Sequence, residues 1–388
     1  MPVRHSRRCG AARRFAVRVA LGIASAAAPV HAQGTLSTQG FGYPLGGLST
    51  RAAGTGGALA EFDHLSARNP AAISSWGSSG LYFQGDPEYR RVAAGTASER
   101  TTTSRFGAIA AGFTVGPKWA VALSAHAFLD RSWATSVRSG QRLGDDSVSY
   151  VEQFSSRGGI SDNRLAVSYM PHPKLALGAG VHLFSGENRL NLVRQFDDSV
   201  RYGTLRRDIT LSYTGTAVSA GFMLTPIRGI ALAGSYRQGG TMRLRIVDTL
   251  RTEAKVPSRY GFSAKLEPLT GLTLLAAANH DEWSKLNGLG SAAANARDAW
   301  EYSAGAEFAG QRTRNASWVY RVGYRQRDLP FAVAGATVAE KSFAGGVSIP
   351  VSGPRGTLDV ALLRAARDAG GLARERAWLL SVGIAIRP

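Results

Sequence analysis

The sequence predicts an all-β fold, a transmembrane antiparallel β-barrel of about 14 strands, and three observations carry that expectation. Segments that alternate apolar with small or polar residues recur from Leu81 to the C-terminus. No apolar run beyond the N-terminus reaches the roughly 18 residues of a helical membrane span. Glycine supplies 46 of the 388 residues, well above its usual share of about 7%.

The alternation is clearest from Trp119 to Leu129. Trp119, Val121, Leu123, Ala125, Ala127 and Leu129 fall on one face, and Ala120, Ala122, Ser124, His126 and Phe128 on the other. Leu175 to Phe184 repeats the pattern, and Trp378, Leu380, Val382, Ile384 and Ile386 repeat it at the C-terminus. Side chains on a strand alternate between faces, so each segment offers an apolar face to lipid and a small or polar face to a lumen.

Residues 1–32 read as a secretory signal peptide. Arg4, Arg7, Arg8, Arg13, Arg14 and Arg18 precede the Ala-rich apolar run Val19 to Val30, and Val30 and Ala32 are the small residues before the cleavage site. Removing these six arginines leaves 40 basic against 27 acidic residues, a formal charge of +13, and takes out Cys9, the only cysteine. Without disulfides, stability has to come from burial or from a closed hydrogen-bonded sheet. Residues 33–79 form a separate Gly-, Ser- and Thr-rich segment without strand periodicity, with one short helix expected around Ala58 to Leu65.

From residue 80 to 388, fourteen strand segments follow, at 80–95, 104–116, 118–135, 157–171, 174–196, 206–226, 229–249, 254–268, 271–286, 298–310, 315–327, 338–350, 355–369 and 374–388. Six connections are short, such as Gly116-Pro117-Lys118, while 136–156, 197–205, 287–297 and 328–337 are longer. Short periplasmic turns alternating with longer outer loops are the pattern of bacterial outer-membrane barrels. A soluble propeller or pair of sandwiches would have strands of about 5 or 6 residues, far shorter than these. The expected location is therefore the outer membrane of a Gram-negative-type bacterium.

The basic residues do not cluster, and no nucleic-acid recognition motif is present, so nucleic acid is not an expected partner. In the proposed topology the arginines favour the outer half, among them Arg90, Arg131, Arg189, Arg243, Arg245, Arg325 and Arg327. There they suit outer-membrane lipid and the phosphates of lipopolysaccharide, or a carboxylate ligand. No catalytic residues, metal site or cofactor are expected: His126, His172, His182 and His280 are scattered without metal-ligand spacing. Serine–histidine pairs such as His126 with Ser124 or His182 with Ser185 are weaker candidates for an outer-membrane lipase.

The segment Arg51-Ala-Ala-Gly-Thr-Gly-Gly-Ala-Leu-Ala, followed by Ser66-Ala-Arg-Asn69-Pro70-Ala71-Ala72-Ile73, resembles the N-terminal plug of the FadL/TodX family of outer-membrane transporters. Val256-Pro257, Trp283-Ser284-Lys285-Leu286, Arg321 to Tyr324 and Leu329-Pro330-Phe331 resemble it further. The resemblance implies that residues 33–79 plug a fourteen-stranded barrel. It implies passive uptake of hydrophobic small molecules, long-chain fatty acids foremost, with Asn69, Pro70 and Ala71 as the plug or gate. It also implies a sideways exit beside these residues, at a kinked third strand, although Trp119 to Val137 contains no Gly or Pro. An Asn-Pro-Ala element occurs in scaffold barrels too, so a structural or secretion-associated, PorV-like barrel without small-molecule transport stands as the alternative.

Overall fold

Fourteen segments with one apolar and one small or polar face pair most of their edges by closing on themselves, and they do so here. In the computed structural model the described residues are 41–387 without 95–96, 145, 248, 290–294, 314–315, 334 and 352–354. The expected signal peptide and residues 33–40 lie outside the described residues.

A two-residue strand β1 (Tyr43–Pro44), a short helix α1 (Thr50–Gly54) and a 3-10 helix (Pro70–Trp76) precede the wall. The wall begins with β2 (Gly80–Ala94), β3 (Ala97–Val115), β4 (Trp119–Asp130) and β5 (Trp133–Leu143). It continues through β6 (Asp146–His172), β7 (Leu175–Phe196), β8 (Leu205–Ile227), β9 (Ile230–Ile246), β10 (Thr249–Lys255) and β11 (Arg259–Leu269). It ends with β12 (Leu272–Asp281), β13 (Ala299–Thr313), β14 (Ala316–Val333), β15 (Ala336–Val351), β16 (Gly356–Asp368) and β17 (Arg374–Ile386). Neighbours pair antiparallel, with β5 paired to β6 alone and β10 to β9 alone, and β17 closes onto β2 from Ile386 against Leu81 to Arg374 against Ala93. Taking β4 with β5 and β10 with β11 as broken single strands gives a fourteen-stranded closed barrel.

The expected register holds except at Leu129, expected on the lipid face, which a register shift after Ala127 turns into the internal apolar cluster. Trp119, Leu123, Val181 and Ile384 are exposed on the outer face, whereas Ala120, Ala122, Ala166 and Ala385 are buried inside. Tyr236, Tyr260, His280, Trp300 and Tyr302 run as a chain of ring contacts across four strands, with successive centroids 4.6 to 6.3 Å apart. Such outward aromatic rows mark the edges of the apolar band.

Three expectations about elements change. Trp283–Leu286, expected as the end of the 271–286 strand, forms a 3-10 helix after β12 stops at Asp281. Segment 136–156, expected as a loop, is a hairpin: β5 pairs with β6 from Trp133 against Ser156 to Leu143 against Asp146. Strand pairing satisfies the backbone beyond the membrane as well as within it, so polar sequence there does not end the strand. The helix expected near Ala58 lies earlier, at Thr50–Gly54, because Ser49 caps it by accepting a hydrogen bond from the Ala52 N–H at 3.1 Å.

Candidate functional site

Small inner-face residues leave the lumen room for residues 41–79, which fill it. Glycines of the wall mark the closest approaches: a Cβ on Gly221 would overlap the Asn69 Oδ1, one on Gly178 the Ala71 backbone, and one on Gly323 the Thr55 carbonyl group. Thr50 Oγ1 bonds Ser381 Oγ at 2.9 Å, and Arg51 pairs with Asp359 at 2.8 Å. Asp63 knots the segment internally by accepting from Ser49 Oγ and, at 2.8 Å, from Ser66 Oγ.

Asn69 is fully buried at the head of the 3-10 helix, with extended φ −103° and ψ 118°. Its Oδ1 accepts from the Ala71 N–H at 2.9 Å, and its Nδ2 donates to the carbonyls of Glu61 and Phe222, both at 3.0 Å. Pro70 takes the first helical position, where a missing N–H costs nothing. Asn69, Pro70 and Ala71 thus sit together against β7 and β8 near their periplasmic ends. The same segment carries Glu61, whose carboxyl is pushed above its ordinary range by burial, against the pull of Arg259 at 3.4 Å. Among the described residues its Oε2 has no hydrogen-bond partner.

Above this level the lumen carries ion pairs. Tyr43 hydrogen-bonds Glu340 at 2.8 Å, and the guanidinium carbons of Arg105, Arg327 and Arg367 lie over its ring at 4.7, 4.9 and 4.6 Å. Glu340 pairs with Arg325, Arg327 and Arg367, and Glu88 with Arg90, Arg105 and Arg367. Arg90, Arg325 and Arg327, expected at the outer rim, are therefore buried partners inside the barrel, and the strand register decides this rather than the position along the chain.

The wall is not hydrogen-bonded all round. β3 pairs with β4 only from Val115 against Trp119 to Ala108 against His126. Beyond that point β3 pairs with β2 alone and β5 with β6 alone, which leaves an open seam in the outer half. β1 occupies the foot of the seam on the free edge of β4, with Tyr43 opposite Asp130 and Pro44 opposite Leu129. Arg105 of β3 bridges to Asp130 at 2.7 Å on the luminal side. The third strand does break, at Arg131–Ser132, between β4 and β5. The signal lies on its neighbour, where Gly158 at φ 133° lets the Arg131 N–H reach its carbonyl at 3.0 Å.

Phe106 stands at this seam. It lines an internal cavity of about 50 Å³ shared with Tyr43, Leu45, Gly107 and Ala127, and a lipid-facing groove of about 380 Å³ shared with Phe83, Ile109 and Ile384. A second cavity of about 50 Å³ lies between Arg68, Phe128, Arg237, Arg259 and Trp283. It adjoins the largest apolar cluster, which includes Phe41, Phe128, Phe184, Tyr213, Met242 and Trp283. Arg237 lies over the Phe128 and Phe184 rings at 5.4 and 5.5 Å, and Arg131 over Tyr213 at 5.1 Å.

Asp162, His182 and Ser219 form a relay on three adjacent strands. His182 Nδ1 is 2.8 Å from Asp162 Oδ1, and Nε2 is 2.9 Å from Ser219 Oγ. Ser219 is buried and lines neither cavity. The relay ties β6, β7 and β8 together. His182 does not bond Ser185, whose hydroxyl accepts from Asn163 at 3.1 Å, and His126 Nε2 is 3.3 Å from the Leu65 carbonyl. Among the described residues no group of histidine and carboxylate side chains is placed to hold a metal ion.

A closed, lipid-facing barrel with an internal N-terminal segment and an interrupted wall is an outer-membrane β-barrel of the plugged type. The chain belongs to the BamG family, whose model matches residues 30–233. No curated protein matches it in sequence. Its fold is that of the FadL and TodX barrels. A FadL homologue from Pseudomonas aeruginosa aligns over 90% of this chain and 99% of its own at 13% identity, with a TM-score of 0.61. The toluene transporter TbuX from Ralstonia pickettii aligns over 88% and 99% at 17% identity, with a TM-score of 0.59. The toluene transporter TodX from Pseudomonas putida aligns over 89% and 99% at 11% identity, with a TM-score of 0.58.

Proposed function

We propose that this barrel is a passive outer-membrane transporter for hydrophobic compounds, long-chain fatty acids among them, with exit sideways through the seam between β3 and β4–β5. The observation that carries this reading is the position of Phe106 on the β3 edge of the seam, where it borders both an internal cavity and a lipid-facing groove that runs over β2, β3, β16 and β17. An apolar solute gains nothing from a water-filled pore, whereas a path from an apolar pocket to the bilayer keeps its surface out of water. The fold shared with transporters of toluene supports the substrate class. The aromatic cluster under Arg131 and Arg237 supports a ligand with a carboxylate at one end. Residues 33–79 act as the plug and Asn69, Pro70 and Ala71 as its fixed point in this reading.

One observation favours the second reading, a structural or secretion-associated barrel. Each internal cavity is about 50 Å³, too small for an acyl chain unless β1 or its neighbours move. Binding and uptake of a labelled long-chain fatty acid and of toluene by the purified barrel in proteoliposomes separate the two. Saturable uptake of either compound supports transport, and uptake no faster than through protein-free vesicles rules it out.

A further inference from the structure

The outer face of β6 to β9 changes character in layers. The apolar band ends at Leu165, Leu183 and Val218, which are 51, 58 and 55% exposed. The next outward positions are uncharged hydroxyls and amides: Asn163, Ser161, Ser185, Thr216, Thr214 and Gln238. Above them come arginines, Arg157 on β6, Arg189 on β7, and Arg243 and Arg245 on β9, all exposed. Arg157 and Arg189 are register partners directly opposite each other. Like charges so placed repel and destabilise the sheet unless an anion lies between them. Arg189 has only a distant acidic neighbour, Glu187 at 3.8 Å, and Arg157 has no ion pair among the described residues.

We infer that this face docks the phosphorylated core saccharide of the outer-leaflet glycolipid, lipopolysaccharide. Height selects that part of the molecule. Arg189 is six residues beyond Leu183 and Arg157 eight beyond Leu165. At about 3.4 Å per residue and a tilt of about 40°, these guanidiniums stand roughly 15 to 20 Å above the apolar band. Phosphates at the edge of the hydrocarbon are too low to reach them, so the matching anions are on sugars farther out. The intervening collar of hydroxyls and amides meets the sugars between, which offer hydroxyls in return. Guanidinium forks suit phosphate, and the side chains project from rigid strands. The assignment rests on the orientation that puts the six short turns in the periplasm. It does not depend on whether the barrel transports anything.

The test uses the purified full-length mature barrel and two glycolipids in mixed micelles. One carries a phosphorylated core, and the other is a deep-rough form consisting of lipid A and the first core sugars without core phosphates. Native mass spectrometry reads the glycolipid retained per barrel. The wild-type barrel is expected to prefer the phosphorylated core by about tenfold, a ratio two surface arginines can supply. Arg157→Ser/Arg189→Ser is expected to lose that preference while binding the deep-rough form as before. Arg245→Ser provides an independent second variant that leaves the Arg243–Glu253 pair at 2.8 Å intact, and unchanged heat-modifiability on gels confirms that both fold. Equal retention of the two glycolipids by the wild-type barrel, or a loss in the variants that is the same for both, overturns the inference.

Discussion

Tyr43 and Glu340 are hydrogen-bonded at 2.8 Å although 297 residues separate them in the chain. The bond joins β1, which lies within the lumen, to the β15 wall, at a point where Arg325, Arg327 and Arg367 all pair with the same carboxylate. A buried carboxylate shared by three guanidiniums is a poor source of net stability, because each charge had to leave water. It is a strong source of specificity: any other seating of β1 leaves the tyrosine without its acceptor.

Removing that carboxylate takes from Arg327 its acidic partner and leaves Arg367 with Glu88 and Glu375 and Arg325 with Glu301 at 3.8 Å. Glu340→Gln is expected to cost about 3 to 5 kcal/mol, the range for breaking a buried ion pair from one side. Tyr43→Phe removes a hydroxyl that donates to Glu340 and accepts from Arg327 and Arg367, and keeps the ring under its guanidiniums, for about 1.5 to 3 kcal/mol. Urea titrations read by heat-modifiability give both numbers, and equal costs for the two variants would mean that the cluster does not depend on Glu340.

The lipid-facing register makes a second set of expectations. Leu123, 58% exposed between Val121 and Ala125 of β4, faces the hydrocarbon. Leu123→Arg is expected to cost about 2 to 4 kcal/mol of barrel stability. Ser149→Arg, exposed near the far end of β6 and opposite Gly140, is expected to change it by less than about 0.5 kcal/mol. Ser381 is no permissive control, although an inward-facing serine suggests one. It is fully buried and hydrogen-bonded to Thr50 and Gln84, so the inner wall here packs against protein and not water.

Strand alternation made the wall legible because lipid outside and small residues inside impose opposite demands on successive positions, as Val181 and Gly180 show. The Asn-Pro-Ala turn was legible too: Asn69 bonds its own neighbour's backbone, which its residue type foretells. The seam was not, because hydrogen-bond pairing between β3 and β5 is a property of two backbones and leaves no mark in either strand's composition. Gly158 and Gly159 on the neighbouring strand were its one trace. The seating of the N-terminal segment also left a signal, in inner-face glycines such as Gly178, Gly221 and Gly323, which alternation alone reads merely as small residues. The charged network escaped because its partners, such as Arg68 and Glu301, are far apart in sequence.

Ionisation of Glu61 should loosen the internal segment. Burial raises its carboxyl above the unfolded-state value, so the proton binds more tightly when the segment is seated. The stabilisation from that proton is complete below the unfolded pKa of about 4.3 and is lost as pH rises through the higher folded value. Amide exchange of residues 55–73 is expected to quicken with rising pH beyond the intrinsic base-catalysed increase in the wild type, and Glu61→Gln to remove the excess. An identical pH profile in the variant would mean that Glu61 is not the group responsible.

Asn69 supports the segment's other end. Replacing Asn69 and Pro70 by Ala deletes the bonds to Glu61, Ala71 and Phe222 and frees φ at position 70. If the segment gates passage, hydrophobic uptake falls while the amount of heat-stable barrel in the membrane is unchanged. Unchanged uptake would reduce the motif to a connector before β2.

The most direct trial of the sideways exit is to lock β1 into the seam. Pro44 and Leu129 are register partners on adjacent antiparallel strands, where Cα atoms stand about 4.5 to 5.5 Å apart, within the span of a disulfide. Cys9 is the sequence's single cysteine and can be replaced by Ser. Pro44→Cys/Leu129→Cys therefore forms one defined crosslink, across the foot of the gap that Phe106 borders. With β1 held, the cavity beside Tyr43 stays at its present size and the solute has no way past Arg105 and Asp130. Uptake of a labelled hydrophobic compound is expected to stop on oxidation and to return on reduction, with each single-cysteine variant insensitive to both treatments. Full uptake in the oxidised double variant would show that the solute leaves by another route and that the seam is closed throughout transport.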